Sequence, residues 1–179
     1  GDFDSGEGIA IQLFTSGTTA APKAAILQHS NLVSYILGTV EFASAGEHEA
    51  ALVSVPPYHI AGIAAVLSSL YAGRRIVMLP AFAPDAWLRL VEAEAVSNAF
   101  VVPTMLSRIV EHLDKAGEAA NVPALQAIAY GGGRMPLSVI ERAMELFAGV
   151  NLTNAYGLTE TSSTVCLLGP DDHREAASS

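Results

Sequence analysis

The chain has 179 residues, enough for one domain with a sizeable core; 51% are hydrophobic and 15% charged. Nine basic against 18 acidic side chains give a net charge of −9, which argues against nucleic acid as a partner. No apolar run reaches the ~18 uninterrupted residues of a membrane span, and the acidic start GDFDSGEG lacks the pattern of a secretory signal. A single cysteine, Cys166, excludes an internal disulfide framework and fits a reducing, cytoplasmic compartment. So oily a composition points to a sheet buried on both faces, or to apolar surface that packs against a further domain.

Short apolar runs alternate with stretches of helical spacing. Ile9–Phe14 predicts a strand, followed by a loop from Thr15 to Lys23. Ser30 can cap a helix over Asn31–Gly38. Ala51–Val55 predicts a strand stopped by Pro56 and Pro57, and His59–Tyr71 a buried helix ending at Gly73. Arg75–Leu79 is the next strand, and Pro84 opens a helix to about Ala95. Ala99–Val102 and a helix over Met105–Lys115 ending at Gly117 continue the rhythm. Leu125–Ala129 leads into the loop Gly131–Arg134, Pro136 starts a helix to about Phe147, and Asn151–Ala155 is a last strand. The tail GPDDHREAASS, polar and rich in small residues, is expected to fray.

This alternation predicts an α/β fold with a mainly parallel layered sheet and right-handed crossovers, in a single unit over 1–179. Ligands of open α/β sheets sit beyond the carboxyl ends of strands. The loops after Phe14, Ala129 and Ala155 are therefore the candidate sites.

The first loop reads Thr15-Ser16-Gly17-Thr18-Thr19-Ala20-Ala21-Pro22-Lys23. Hydroxyls and exposed backbone N–H groups can surround phosphate oxygens, Lys23 adds a mobile positive charge, and Gly17 allows close approach. A Ser/Thr-rich turn between strand and helix is the plainer alternative, and a Walker loop is excluded by Pro22 and Ala24 beside the lysine. Tyr156-Gly157-Leu158-Thr159-Glu160 offers a ring to stack on a base, a glycine, a hydroxyl and a carboxylate suited to Mg²⁺. Gly131-Gly132-Gly133 is by default a flexible loop, and Arg134 a solvated side chain. His59 either caps or packs within its helix or lies at a substrate pocket. His29, His48, His112 and His173 have no metal-ligand spacing and read as surface or structural. No G-x-S-x-G occurs, which removes a serine hydrolase.

T-S-G-T-T-x-x-P-K resembles the signature loop of the adenylate-forming (AMP-binding) superfamily, which includes acyl-CoA synthetases, with alanine at positions 20 and 24 where the family usually has glycine. N154-A-Y-G-L-T-E160 resembles its next signature without departure, and Gly131–Pro136 its adenine-covering segment. P57-Y-H59-I-A-G62 and V101-V-P-T-M105 resemble segments of acyl- and aryl-CoA synthetases.

The resemblance implies a part of the large N-terminal domain of an ATP-dependent carboxylate–CoA ligase acting on a fatty or aryl acid. Preceding strands, a ribose-binding segment and a small C-terminal domain are then expected outside this chain. It implies ATP, Mg²⁺ and coenzyme A as co-substrates and cofactor. Thr15, Ser16, Gly17, Thr18, Thr19 and Lys23 would grip the β- and γ-phosphates. Tyr156, Gly157 and Gly131–Gly133 would hold adenine, Thr159 the α-phosphate, Glu160 magnesium, and His59 the acyl pocket, with Gly62 leaving room for the acyl chain. The alternatives are a stand-alone nucleotide- or acyl-binding module without turnover, and an interaction domain with a defunct site.

Overall fold

The computed structural model describes residues 6–15 and 23–177. An antiparallel hairpin, β1 (Ile9–Thr15) and β2 (Lys23–Gln28), leads into helix α1 (His29–Thr39). There follow β3 (Ala50–Val53), α2 (Ile60–Ala72), β4 (Arg75–Met78), α3 (Pro84–Ala93), β5 (Asn98–Val101) and α4 (Pro103–Ala116). The chain continues through β6 (Ala127–Gly131), α5 (Leu137–Leu146), β7 (Asn151–Leu158), β8 (Ser163–Leu168) and α6 (Pro170–Ala177). Strands β3 to β8 form one sheet in the order β4-β3-β5-β6-β7-β8, parallel throughout except for antiparallel β8 at its edge. The expected α/β class with a mainly parallel sheet is what is found.

Strand side chains alternate between two faces, and the two faces are covered differently. On one, Leu52, Val101, Ile128 and Leu152 pack with Trp87, Val91, Leu106, Ile109 and Phe147 from α3, α4 and the end of α5. Leu106, Ile109, Val110 and Leu113 recur at i, i+3, i+4 and i+7, so α4 presents one apolar stripe to this core. On the other, α2 packs on β3 and β4. Over β5, β6 and β7 that second face carries Phe100, Ala129 and Ala155, and it remains open as a cavity.

Prolines start α3 and α4 at their first turn, and left-handed Gly73 (φ 75°) and Gly117 (φ 69°) close α2 and α4. Ser30 does not cap α1. It lies inside the first turn, and the N–H groups of His29 and Ser30 donate to the carbonyls of Gly8 and Gly6 instead. The element after the Thr15–Lys23 stretch is a strand and not a helix, because Lys23–Gln28 pairs back on β1.

The tail does not fray through residue 177. Gly169 N–H donates to Asp172 Oδ2 at 2.8 Å, Asp171 and Asp172 sit in the acidic first turn, and His173 is buried against Tyr130. β7 runs three residues beyond the expected Ala155, because the antiparallel pairing with β8 carries the ladder on to Leu158. Exposed Val33, Leu37, Phe42 and Leu70 border an apolar groove between α1 and α2.

Candidate functional site

Two cavities meet at the carboxyl ends of β6 and β7. One, of about 660 Å³, lies between the Gly132–Met135 loop and the strand Asn154–Leu158, with Tyr130 and Ile140 among its other lining residues. The second, of about 240 Å³, runs under α2 and is lined by Ile60, Ala61, Ala64, Ala65, Phe100 and Ala129 among others. Gly132, Ala155 and Gly157 line both, so the two spaces share one wall. The wall is built of residues with little or no side chain.

The glycines there answer to the sheet as much as to any ligand. Gly131 pairs with Ala155 across the parallel ladder, and a Cβ on it would sit 3.2 Å from the Ala155 carbonyl carbon and closer still to its oxygen. A Cβ on Gly157 would run into the Ser163 carbonyl across the β7–β8 bulge. Gly132 has φ 83°, a left-handed conformation that strains any other residue. Gly133 is different: a Cβ there would make only an ordinary contact, 3.6 Å from Pro103 Cγ. Gly62 does not leave room for an acyl chain; its missing Cβ faces the carbonyls of Val55 (2.6 Å) and Pro56 (2.5 Å). The room under α2 comes from Ala61, Ala64 and Ala65 instead.

Beyond Leu158 the chain makes a single 3₁₀ turn, Thr159–Thr161. Thr161 ties it down: Oγ1 accepts from Leu158 N–H at 3.0 Å and lies 2.8 Å from the Ser163 carbonyl oxygen. Ser162 and Ser163 follow with φ of 59° and 108°. Two consecutive non-glycine residues on the positive side are strained backbone, a feature that clusters at functional sites. The turn presents an exposed Glu160 carboxylate and a part-exposed Thr159, and β2 packs against it. The hairpin base is closed by the Thr15–Lys23 pair, with Thr15 Oγ1 donating to the Lys23 carbonyl at 3.4 Å. Thr15 and Lys23, the two ends of the hydroxyl-rich loop, thus pair with each other, and the strand that Lys23 opens contacts the turn carrying Thr159 and Glu160. Ser16, Gly17, Thr18 and Thr19 lie outside the described residues.

Tyr156 is 61% exposed and is one of the residues lining the larger cavity. His59 sits in extended backbone just before α2, exposed, with its ring 4.8 Å from that of Tyr58. It lines neither cavity, although its neighbour Ile60 lines the smaller one. Among the described residues no cluster of three metal-ligating side chains occurs. A lone carboxylate such as Glu160 nonetheless suits Mg²⁺, which binds through one or two carboxylates together with substrate phosphates.

Sequence reasoning missed Tyr130, Asn154 and His173. Tyr130 and Asn154 are register partners on β6 and β7, both lining the larger cavity. Tyr130 Oη lies 2.8 Å from His173 Nε2, and His173 Nδ1 lies 2.6 Å from the Gly169 carbonyl. Burial pushes the Tyr130 hydroxyl above its ordinary pKa, with the Asn154 amide working the other way. Strand alternation places Tyr130 and Asn154 on one face and was the available signal; nothing in the sequence pointed to His173.

The mainly parallel sheet, with a cleft at the carboxyl ends of β6 and β7, is that of the open α/β class, whose ligand sites lie there. The model of the family described as AMP-binding enzyme matches residues 3–179, and the chain belongs to that family. It is 28% identical over 170 residues to a 2-succinylbenzoate–CoA ligase of Bacillus cytotoxicus, covering 95% of this chain and 34% of that protein. Among solved structures it resembles the O-succinylbenzoate coenzyme A synthetase of Bacillus subtilis in complex with AMP, with TM-score 0.80 and 26% identity over 95% of this chain and 34% of that one. The same enzyme in complex with ATP and magnesium ion gives TM-score 0.76 and 28% identity, at the same coverages. The chain thus spans about a third of the length of the curated relatives it matches.

Proposed function

We propose that the chain forms the nucleotide- and acyl-holding part of an AMP-forming acid–CoA ligase. The observation that carries this reading is the pair of cavities sharing the Gly132–Ala155–Gly157 wall. An acyl-adenylate has a purine end and an acyl end joined through one phosphate, and the two spaces accept one end each. In this reading the Tyr156 ring stacks on adenine, and the smaller pocket takes the acyl group. An aryl acid is the favoured substrate class, since the Phe100 ring and three alanines make a short apolar slot, and the relatives named above are ligases of an aryl acid.

The proposed chemistry has two steps. A carboxylate oxygen attacks the α-phosphorus of ATP, forming the acyl-phosphate bond and expelling pyrophosphate. The sulfur of coenzyme A then attacks the acyl carbonyl, and AMP leaves. The protein's part is positioning and charge stabilisation at the transferring phosphorus. The Thr159 hydroxyl donates to an α-phosphate oxygen. Lys23, with Thr15 and residues 16–19, neutralises the β- and γ-phosphates. Glu160 would hold Mg²⁺, whose charge offsets that of the phosphates. His59, one residue before the pocket-lining Ile60, is the imidazole assigned to the acyl end.

The test is a calorimetric titration of the chain with an acyl-sulfamoyl-adenosine mimic carrying an aryl or a long alkyl acyl group. Saturable binding that falls about tenfold or more in Thr159→Ala, with the aryl mimic the tighter, is expected. Equal affinity of wild type and Thr159→Ala would remove Thr159 from the phosphate, and preference for the alkyl mimic would overturn the aryl assignment.

A further inference from the structure

A further cavity, of about 170 Å³, continues the pocket under α2. It shares Ala65, Ser68, Phe100 and Ala129 with that pocket, so the two spaces adjoin beneath one helix. α2 starts beyond the carboxyl end of β3 and ends just before the amino end of parallel β4, so it leads away from the glycine wall. Ser68 stands about 12 Å of helix beyond Ile60. Along this line the lining changes character: Ala61, Ala64 and Ala65 give way to Ser68, and the far cavity meets Asn98 and Arg74.

What these polar groups have left to offer is fixed by their partners. Arg74 directs Nε and Nη2 at Glu49 Oε2, each at 2.8 Å, so its charge is already matched. The Ser97 hydroxyl donates its proton to the Ala50 carbonyl at 3.1 Å, so toward Asn98 Nδ2, 2.7 Å away, its oxygen accepts. The same amide nitrogen lies 3.5 Å from Glu49 Oε2, a second group that requires a donor. The Asn98 amide is thereby oriented, and its carbonyl oxygen is what remains for the cavity that Asn98 lines.

We propose that this far end is a polar subsite of the acyl pocket, in which the Asn98 carbonyl oxygen and the Ser68 hydroxyl hold a neutral hydrogen-bond donor, such as a phenolic hydroxyl, on the far side of an aryl acid. The inference rests on the reading of the pocket under α2 as the acyl site. A hydroxyl there donates to Asn98 and accepts from Ser68. An unsubstituted ring leaves the Asn98 oxygen without a donor once water is expelled, and a site that leaves a polar group unpaired rejects the analogue lacking the hydroxyl. A carboxylate would face that same oxygen with the Glu49 charge behind it, and Arg74, already paired, does not offset the repulsion. Selection among ring-substituted acids thus falls to β5 and α2, away from the reacting carboxylate.

Calorimetric titration of the whole chain with three sulfamoyl-adenosine mimics, carrying cinnamoyl, 4-hydroxycinnamoyl and 4-carboxycinnamoyl groups, tests this. Wild type should bind the hydroxyl mimic about tenfold more tightly than the unsubstituted one, and the carboxyl mimic least of all. Asn98→Leu, close to asparagine in shape, should cut the hydroxyl's advantage to less than about twofold. Ser68→Ala places a strong helix former in α2 without touching the sheet, so it carries the test even if Asn98→Leu fails to fold; it should reduce the advantage about threefold. A wild type that binds the hydroxyl and unsubstituted mimics equally, or prefers the carboxyl mimic, overturns the polar subsite and leaves the acyl pocket standing. An advantage that persists in full in Ser68→Ala and Asn98→Leu overturns it equally. A wild type that binds none of the three overturns the adenylate reading itself, and the subsite with it.

Discussion

Three adjacent glycines at the cleft should respond to alanine in three different ways. Gly131→Ala places a Cβ against the backbone carbonyl of Ala155, nearer than the 3.0 Å that real Cβ atoms essentially never cross. The obstacle is main chain inside a parallel ladder and cannot swing aside, so β6 and β7 must separate at the cleft wall. Overpacking of this kind costs about 2–3 kcal/mol. Gly132→Ala meets only Val102 Cγ1 at 3.8 Å, but its φ of 83° costs an alanine about 1–2 kcal/mol. Gly133→Ala meets neither obstacle, and the loss of freedom in the unfolded chain makes it neutral or stabilising by about 0.5 kcal/mol. Urea denaturation followed by tryptophan fluorescence, reporting on the single buried Trp87, gives all three values at constant m. The reasoning is refuted if Gly133→Ala is as damaging as Gly131→Ala, or if Gly131→Ala is as stable as wild type.

Other outcomes follow from the packing and the charges. Leu106 is fully buried, so Leu106→Ala should cost about 2–4 kcal/mol, whereas Leu37→Ala, at a position 60% exposed, should stay within about 0.5 kcal/mol; thermal melts of both variants check this. Glu49 accepts from Arg74 Nε at 2.8 Å and from Gly46 N–H at 3.2 Å, and the Arg74 bond first and the Gly46 bond second hold its carboxyl below the ordinary value. A carboxyl depressed on folding stabilises above its unfolded pKa and loses that contribution as pH falls through the folded one. Glu49→Gln should therefore cost about 1 kcal/mol at pH 7, with the difference from wild type shrinking as pH falls through the lowered folded value; denaturation curves at neutral and acid pH would show it.

Much of the sheet was legible because its signals are local. Pro84 at a helix start, Gly73 and Gly117 at helix ends, and short apolar runs such as the expected Ala51–Val55, found at Ala50–Val53, need only their neighbours to be read. What escaped depends on distant partners. Lys23–Gln28 becomes a strand only by pairing with β1, and Ser30 loses its capping role because the carbonyls of Gly6 and Gly8 reach the first turn of α1. The polar tail reads as frayed until His173 is seen to dock on Tyr130, 43 residues away. At the cleft, Tyr156, Thr159 and Glu160 were singled out by motif. The reasons for Gly131 and Gly157 lie in carbonyls across the ladder, which no local pattern carries.

The central claim is that the ligand spans the two cavities across the end of β7. Amide chemical-shift mapping of the chain during titration with an aryl-sulfamoyl-adenosine mimic tests this most directly. Saturable shifts are expected at Gly131–Gly133, Tyr156–Glu160 and the pocket-lining residues Ile60, Ala61, Ala64, Ala65 and Ala129. Shifts confined to the apolar groove of α1 and α2, at Val33, Leu37 and Leu70, would contradict it.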